Sequence, residues 1–93
     1  MSASKDDQPE FEESDYDGIL AGVVYKGRNC VVIGMKQLEG KKDGELRRFI
    51  DIREHFIVAG ENRWQYTAKG VTIPVDGLED FRAIIERLQG LIE

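Results

Sequence analysis

A predicted β-strand over residues 46–57 contains the side chains best suited to holding a charged, aromatic ligand. Side chains alternate between the two faces of a strand, so Arg47, Phe49 and Arg53 fall on one face and isoleucines on the other. An aromatic ring between two guanidinium groups offers a stacking surface with phosphate-binding groups on either side. Bases in a single strand can reach such a ring, whereas duplex bases are already stacked. The pattern therefore predicts a face that binds single-stranded nucleic acid.

The opposite face of this strand carries Ile50 and Ile52, which we predict to face the core and to pack against a C-terminal helix. A second interpretation of the same strand stays open. In it, Phe49 packs into a dimer interface or a second layer, and the arginines pair with Asp51 and Glu54. The two interpretations differ in whether the ring and the arginines remain available to a ligand.

Further aromatic and basic residues flank this strand. Phe56 at its end and Trp64 beyond the next turn are additional candidates for stacking on bases, and Tyr66 shares a face with Trp64. Lys41 and Lys42 lie in a predicted hairpin tip, where they add only unspecific attraction for phosphates. Trp64 and Tyr66 are expected either in the core or on a contact surface, and the charged tip either attracts phosphates or is only solvated.

The elements that must position these residues form an α+β fold. Runs of apolar residues bounded by glycine-rich turns predict an antiparallel sheet of four strands, or five if residues 63–66 also form a short strand. The predicted strands cover residues 19–25, 30–38, 46–57, 63–66 and 70–75. Gly34, inside the second strand, predicts a bulge or a bend. Cys30 in the same strand is predicted to be a small buried hydrophobe.

One amphipathic helix is predicted to follow the sheet. Asp76 and Glu79 have the spacing of a capping box, with Asp76 as the N-cap. The apolar residues beyond them recur at helical spacing and form one wide stripe, made of Leu78, Phe81, Ile84, Ile85, Leu88, Leu91 and Ile92. A chain of 93 residues buries too little surface to be very stable alone. We therefore predict a homodimer in which part of the stripe packs against a second copy.

Charge is sorted along the chain. Residues 1–17 contain one basic and seven acidic residues, a balance of −6, while residues 18–75 have ten basic and six acidic residues, a balance of +4. We predict that residues 1–17 are a disordered acidic tail and that residues 18–93 form one nucleic-acid-binding domain. The tail is expected either to restrain binding, by competing with phosphates for basic residues, or only to aid solubility.

Residues for catalysis are sparse. His55 and Cys30 are the only histidine and cysteine, nothing in the sequence brings them together, and no zinc or phosphate-loop spacing is present. We therefore predict no enzymatic activity, no cofactor and no metal. The N-terminus has no signal-peptide pattern and no apolar run is long enough to span a membrane, so the predicted location is intracellular and no membrane partner is expected.

Two blocks of this sequence carry a family resemblance. Residues 50–56 (Ile-Asp-Ile-Arg-Glu-His-Phe), a turn, residues 69–75 (Lys-Gly-Val-Thr-Ile-Pro-Val) and the helix after them resemble the C-terminal domain of the transcriptional positive cofactor four family, also called transcriptional coactivator p fifteen. The resemblance covers roughly residues 30–93. It implies a four-stranded antiparallel sheet, one C-terminal helix, a homodimer and channels that bind single-stranded DNA.

The resemblance also implies roles for individual residues. The basic strand residue of the family falls on Arg47, its Arg-Glu arginine on Arg53 and its Lys-Gly lysine on Lys69, all expected to hold phosphates. The aromatic residue after Arg-Glu is often tryptophan in the family and is Phe56 here. Together with the residues derived from the strand pattern, the predicted nucleic-acid-binding set is Arg47, Phe49, Arg53, Phe56, Trp64, Lys69 and Gly70.

The predicted function is a dimeric single-stranded DNA-binding protein that serves as a transcription or DNA-metabolism cofactor. RNA is the alternative ligand, and transcription or repair proteins are the expected partners besides a second copy. The location would be the cytoplasm or nucleoid for a bacterial or phage protein and the nucleus for a eukaryotic one. The competing hypothesis is a dimeric module that uses the same sheet to hold a protein, without binding nucleic acid.

Overall fold

The computed structural model describes residues 9–93, which form one antiparallel sheet followed by one helix. The four strands lie in sequence order, and the helix α1 comes last. The elements are β1 (Ile19–Lys26), β2 (Asn29–Glu39), β3 (Leu46–Ile57), β4 (Trp64–Pro74) and α1 (Leu78–Ile92). The α+β class and the four-stranded sheet with a C-terminal helix are confirmed.

Short connections fix the order of the strands. Gly27, Gly44 and Gly60 in the three hairpin connections have positive φ angles of 60°, 67° and 79°, a backbone region that glycine enters without steric cost. Each connection reverses the chain, so neighbouring strands in sequence pair as neighbours in the sheet. The turns marked by glycine in the sequence are therefore the turns of the fold.

The last strand differs from its prediction. Residues 63–66 and 70–75 were expected as separate strands, but β4 runs without a break from Trp64 to Pro74. Its pairing with β3 is irregular between Arg53 and His55. There the Thr67 hydroxyl donates a hydrogen bond of 2.8 Å to the Glu54 carbonyl, which keeps the irregular stretch attached to β3. One strand with a local irregularity thus replaces two.

The two faces of the sheet are occupied in the opposite way to the prediction. We call the face that presents the odd-numbered residues of β3 the odd face, and the other the even face. The buried core lies on the odd face, where Cys30 and Val32 of β2 are fully buried and Trp64 of β4 is 8% exposed. Ile50 and Ile52, predicted to be core, are only half-buried on the even face.

The N-terminal segment covers part of the odd face. Residues 9–17, here called the strap, cross the odd face and include a short 3-10 helix from Glu13 to Asp15. Phe11 and Tyr16 of the strap are buried in the core. The prediction of a disordered tail is therefore wrong for residues 9–17, because these two aromatic side chains bury enough apolar surface to hold an otherwise acidic segment. Residues 1–8 lie outside the described part of the chain.

The helix does not cover the sheet. No residue of α1 is buried, and the helix packs mainly against the preceding 3-10 turn, Val75–Gly77. The predicted packing of its apolar stripe on Ile50 and Ile52 is absent within one chain. The N-cap is Gly77 rather than Asp76, because the 3-10 turn takes up the predicted capping residue. The apolar stripe of α1 is left open to solvent.

Candidate nucleic-acid interface

One end of the odd face is open. Phe49 is half-buried there, beside Arg47, in a cavity of about 630 Å³ that Leu38 and Pro74 also line. Arg47 pairs with Asp43 at 2.9 Å, and both side chains are largely exposed. Exposed ion pairs contribute little, roughly 0–1 kcal/mol, so a phosphate can replace Asp43 at low cost. Arg47 and Phe49 are brought together as predicted, with the ring accessible to a ligand.

Arg53, by contrast, is held inside the protein. Its guanidinium donates hydrogen bonds to the Thr67 carbonyl at 2.9 Å and to the Asp51 carboxylate at 3.4 Å, and its side chain is 22% exposed. Asp51 is 1% exposed and also accepts a hydrogen bond of 3.2 Å from the Tyr16 hydroxyl. The pairing of Arg53 with Asp51, part of the competing interpretation, is therefore confirmed. The guanidinium of Arg53 has further N–H groups that could bind a phosphate. Its hydrogen bonds to Thr67 and Asp51, however, give it a structural role in the sheet.

Two residues of the odd face lie outside the predicted site: Lys36 was missed, and Tyr66 was named only as an aromatic neighbour of Trp64. Lys36 of β2 lies directly across from Phe49, and Tyr66 of β4 lies across from His55 and is 66% exposed. Both line cavities that Arg53 also lines. The sequence pattern around Lys36 did not predict a place in the site, because only the register of β2 against β3 places this residue beside Phe49. Tyr66 was recognised as sharing a face with Trp64, but its exposure depends on where the strap ends.

The cavities of the odd face join into one groove. The cavity of about 630 Å³ at Phe49 shares Leu38, Phe49 and Thr72 with a second of about 430 Å³. The second shares Lys36 and Arg53 with a third of about 490 Å³ beside Tyr66. We call these three adjoining cavities, from Arg47 to Tyr66, the groove. It has a half-buried ring, Phe49, near one end and an exposed ring, Tyr66, at the other, with Lys36 and Arg53 between them.

Phe56 and Lys69 lie away from the groove. Phe56 is on the even face, 37% exposed, because it occupies an even position in a strand whose pairing with β2 is regular throughout. Lys69 lines a cavity of about 290 Å³ with Lys26 and Glu54. There, hydrogen bonds from Asn29 and Lys26 lower the pKa of the Glu54 carboxyl. Phe56 and Lys69 are therefore separate from the residues that line the groove.

Trp64 and Gly70 have structural roles. Trp64 is in the core, and its indole N–H donates a hydrogen bond of 3.2 Å to the Pro9 carbonyl, so its predicted stacking role is not available while the strap is in place. Gly70 pairs with Arg53, and a Cβ at that position would lie 2.5 Å from the Ile52 carbonyl oxygen. Glycine at position 70 thus allows β4 to lie close to β3.

His55 lines the groove and also contacts the strap through Phe11. It is 5% exposed, and the Phe11 ring meets it edge-on with centroids 5.0 Å apart. Burial lowers the pKa of His55 below its ordinary value of 6.5, although the neighbouring Arg53 carbonyl opposes the shift. The folded protein therefore disfavours the protonated ring, and protonation favours the unfolded state.

We expect the free energy of unfolding to fall as the pH drops below 6.5. The contribution of neutral His55 is complete above the pKa of the unfolded chain and is lost as the pH falls through the lower pKa of the folded protein. Urea denaturation over this range, above the region where carboxylates titrate, measures the effect. His55→Gln should flatten the profile, since His55 is the only histidine. An equally steep profile in that variant would assign the loss to other groups.

Other sites of chemistry are scarce among residues 9–93. No cluster of three or more histidine, cysteine or acidic side chains that could hold a metal ion occurs in this part of the chain. Cys30 is buried as predicted, and burial raises the pKa of its thiol to about 11. The described helices also include none with the length and apolar character needed to cross a membrane. The groove remains the main candidate site.

Comparison of the chain with protein families, with curated proteins and with solved structures gives no match.

Proposed function

We propose that the protein binds single-stranded nucleic acid, DNA in the first instance, in the groove of the odd face. The observation that carries the proposal is the open end of this groove, where the accessible ring of Phe49 lies beside Arg47. Within residues 9–93, the ion pair of Arg47 is an exposed one with Asp43. A base can stack on the ring while the adjacent phosphate replaces the carboxylate.

The far end of the groove repeats this combination. Tyr66 is exposed and lines a cavity together with Lys36 and Arg53. Rings separated by basic side chains suit a flexible strand, which can turn successive bases toward the protein. Stacking accepts any base, so little sequence preference is expected. We extend the proposal to a role in transcription or DNA metabolism, which depends on this binding.

Titration with labelled oligo-dT, its RNA equivalent and a duplex of equal length tests the proposal. We expect single strands to bind more tightly than duplex, with an affinity that falls steeply as salt rises, since phosphate contacts release counterions. The comparison of the two single strands identifies the preferred ligand. Equal affinity for single strands and duplex at moderate salt would contradict the stacking role of Phe49.

We also propose that two copies of the chain associate through their helices. The apolar stripe of α1 is largely open to solvent: Phe81 is half-buried, and the other six residues have exposures from 47% at Leu88 to 84% at Ile92. The even face adds exposed apolar residues such as Val24 and Val71. Monomeric proteins rarely leave such large apolar surfaces uncovered. A twofold arrangement would bury the same stripe of both copies and place two grooves on one dimer.

The exposed stripe also favours the competing function, a module that holds a protein partner. Such a module would bury the stripe or the even face against the partner, and its affinity would depend on apolar area more than on phosphate charge. The oligonucleotide titration separates the two functions. Absence of binding to every oligonucleotide at low salt would leave the interaction module as the better proposal.

A further inference from the structure

The strap is attached to the odd face by specific contacts at both of its ends. At one end, Phe11 is 6% exposed and its backbone N–H donates a hydrogen bond of 2.9 Å to the Tyr25 hydroxyl. The Pro9 carbonyl accepts the hydrogen bond from the Trp64 indole. At the other end, the hydroxyl of Tyr16 donates to Asp51. The strap thus has a defined position on the sheet.

Tyr16 fills a site that fits a flat ring. Gly34 forms its floor, since a Cβ at this position would overlap the Tyr16 ring. Gly34 was predicted to mark a bulge or a bend, and the irregular pairing is in the opposite strand, β1, between Leu20, which pairs with Gly34, and Gly22. The Lys36 ammonium lies 5.2 Å from the centre of the Tyr16 ring, within range of a cation–π interaction. Asp51 accepts a hydrogen bond at the edge of the ring.

Two acidic residues of the strap line the groove, and one of them, Asp15, also accepts a hydrogen bond of 2.9 Å from the Glu12 backbone N–H. Asp17 lines two of the three cavities that form the groove, and Asp15 lines the one beside Tyr66. Lys36 and Arg53 line both of these cavities. None of the ion pairs within residues 9–93 joins Asp15 or Asp17 to a basic residue. Their charges therefore remain in the groove and oppose the entry of a phosphate.

We propose that the Tyr16 site is a base-binding subsite of the groove, which the strap holds closed by placing Tyr16 where a base would stack and two carboxylates where phosphates would lie. Single-stranded nucleic acid occupies the subsite by displacing the strap. This inference rests on the proposed function and adds its regulation. The sequence predicted that a disordered tail competes with phosphates for basic residues. In the present proposal an ordered segment, the strap, competes with the nucleic acid instead.

Truncation is a poor test of this subsite. A chain starting at Gly18 would lose Phe11 and Tyr16 and expose the core around Trp64 and Cys30. Its binding would then report unfolding as much as opening of the groove. The test therefore uses the full chain and small changes of charge.

Trp64 provides a direct signal of strap displacement. It is the only tryptophan in the chain, and it lies beneath Pro9 and Phe11, with ring centroids of Phe11 and Trp64 6.0 Å apart. On titration with oligo-dT we expect its emission to shift to longer wavelength and its quenching by acrylamide to increase in proportion to bound oligonucleotide. Saturated binding with unchanged Trp64 emission and quenching would overturn the proposal, because the strap would still be in place.

A pair of matched double variants tests the carboxylates. Asp15→Asn with Asp17→Asn removes two charges from the groove, while Glu10→Gln with Glu13→Gln removes two exposed charges of the strap that line none of the three cavities. At low salt the first pair should bind oligo-dT about five- to thirtyfold more tightly than the second, and the difference should shrink as salt rises. Equal affinities of the two would overturn the proposal. Binding by none of the proteins would mean that the proposed function fails, and the subsite with it.

Discussion

Leu88→Asp is expected to abolish the proposed association of two copies and leave a monomer. Leu88 lies in the middle of the apolar stripe of α1 and is 47% exposed in the single chain. In a twofold interface the substitution places two carboxylates in an apolar contact. Each loses its hydration without gaining a partner, which costs several kcal/mol, so the dissociation constant should rise by about a thousandfold or more. Light scattering or analytical ultracentrifugation at micromolar concentration measures the change.

Ala83→Asp is the matched control for this variant. Ala83 lies on the opposite side of α1 from the stripe, so the same carboxylate there should leave the dimer intact. Because no residue of α1 is buried in the single chain, both variants should keep the β-sheet, which circular dichroism can verify. A wild-type protein that is monomeric at micromolar concentration, or a Leu88→Asp protein that stays dimeric, would contradict the proposed interface.

Phe49→Ala is expected to give the largest loss of affinity for oligo-dT among single substitutions in the groove. Phe49 supplies the accessible ring at the end that the strap leaves open. Stacking of one base on an aromatic side chain contributes about 1–3 kcal/mol, so affinity should fall roughly tenfold to more than a hundredfold. Phe49→Trp keeps a ring at this position and should retain most of the affinity.

Phe56→Ala is the control for the ring, since Phe56 lies on the even face of the same strand. It should leave the affinity for oligo-dT almost unchanged while removing a ring of the same size. Fluorescence anisotropy at moderate salt provides the dissociation constants, and urea denaturation provides the stability of each variant. If Phe56→Ala weakens binding as much as Phe49→Ala, the even face takes part in binding and the groove is wrongly placed.

Local patterns in the sequence were sufficient for three of the four strands and for the helix. Strands β1 to β3 and the helix were predicted because alternation and helical spacing of apolar residues depend only on neighbours in the chain. Gly27, Gly44 and Gly60 marked the turns because a positive φ is a local requirement. Asp76 failed as the predicted cap, since the chain tightens into a 3-10 turn before α1 begins.

The sequence also determined which residues of β3 share a face, but not which face is covered. The grouping of Arg47, Phe49 and Arg53 follows from alternation and is correct. The choice of Ile50 and Ile52 as the core followed from their apolar side chains. That choice failed because Phe11 and Tyr16 come from a segment far away in the chain and cover the other face.

The availability of each candidate side chain was decided by the tertiary structure. Trp64 became a core residue because the strap lies over it, and Arg53 became part of an internal network because Asp51 and the Thr67 carbonyl are within its reach. Lys36 lines the groove only because the register of β2 against β3 places it opposite Phe49. Residue type and spacing thus determined what chemistry the chain can offer. Contacts between distant segments decided which of those groups are exposed, because burial depends on what packs above a side chain and not on its neighbours in sequence.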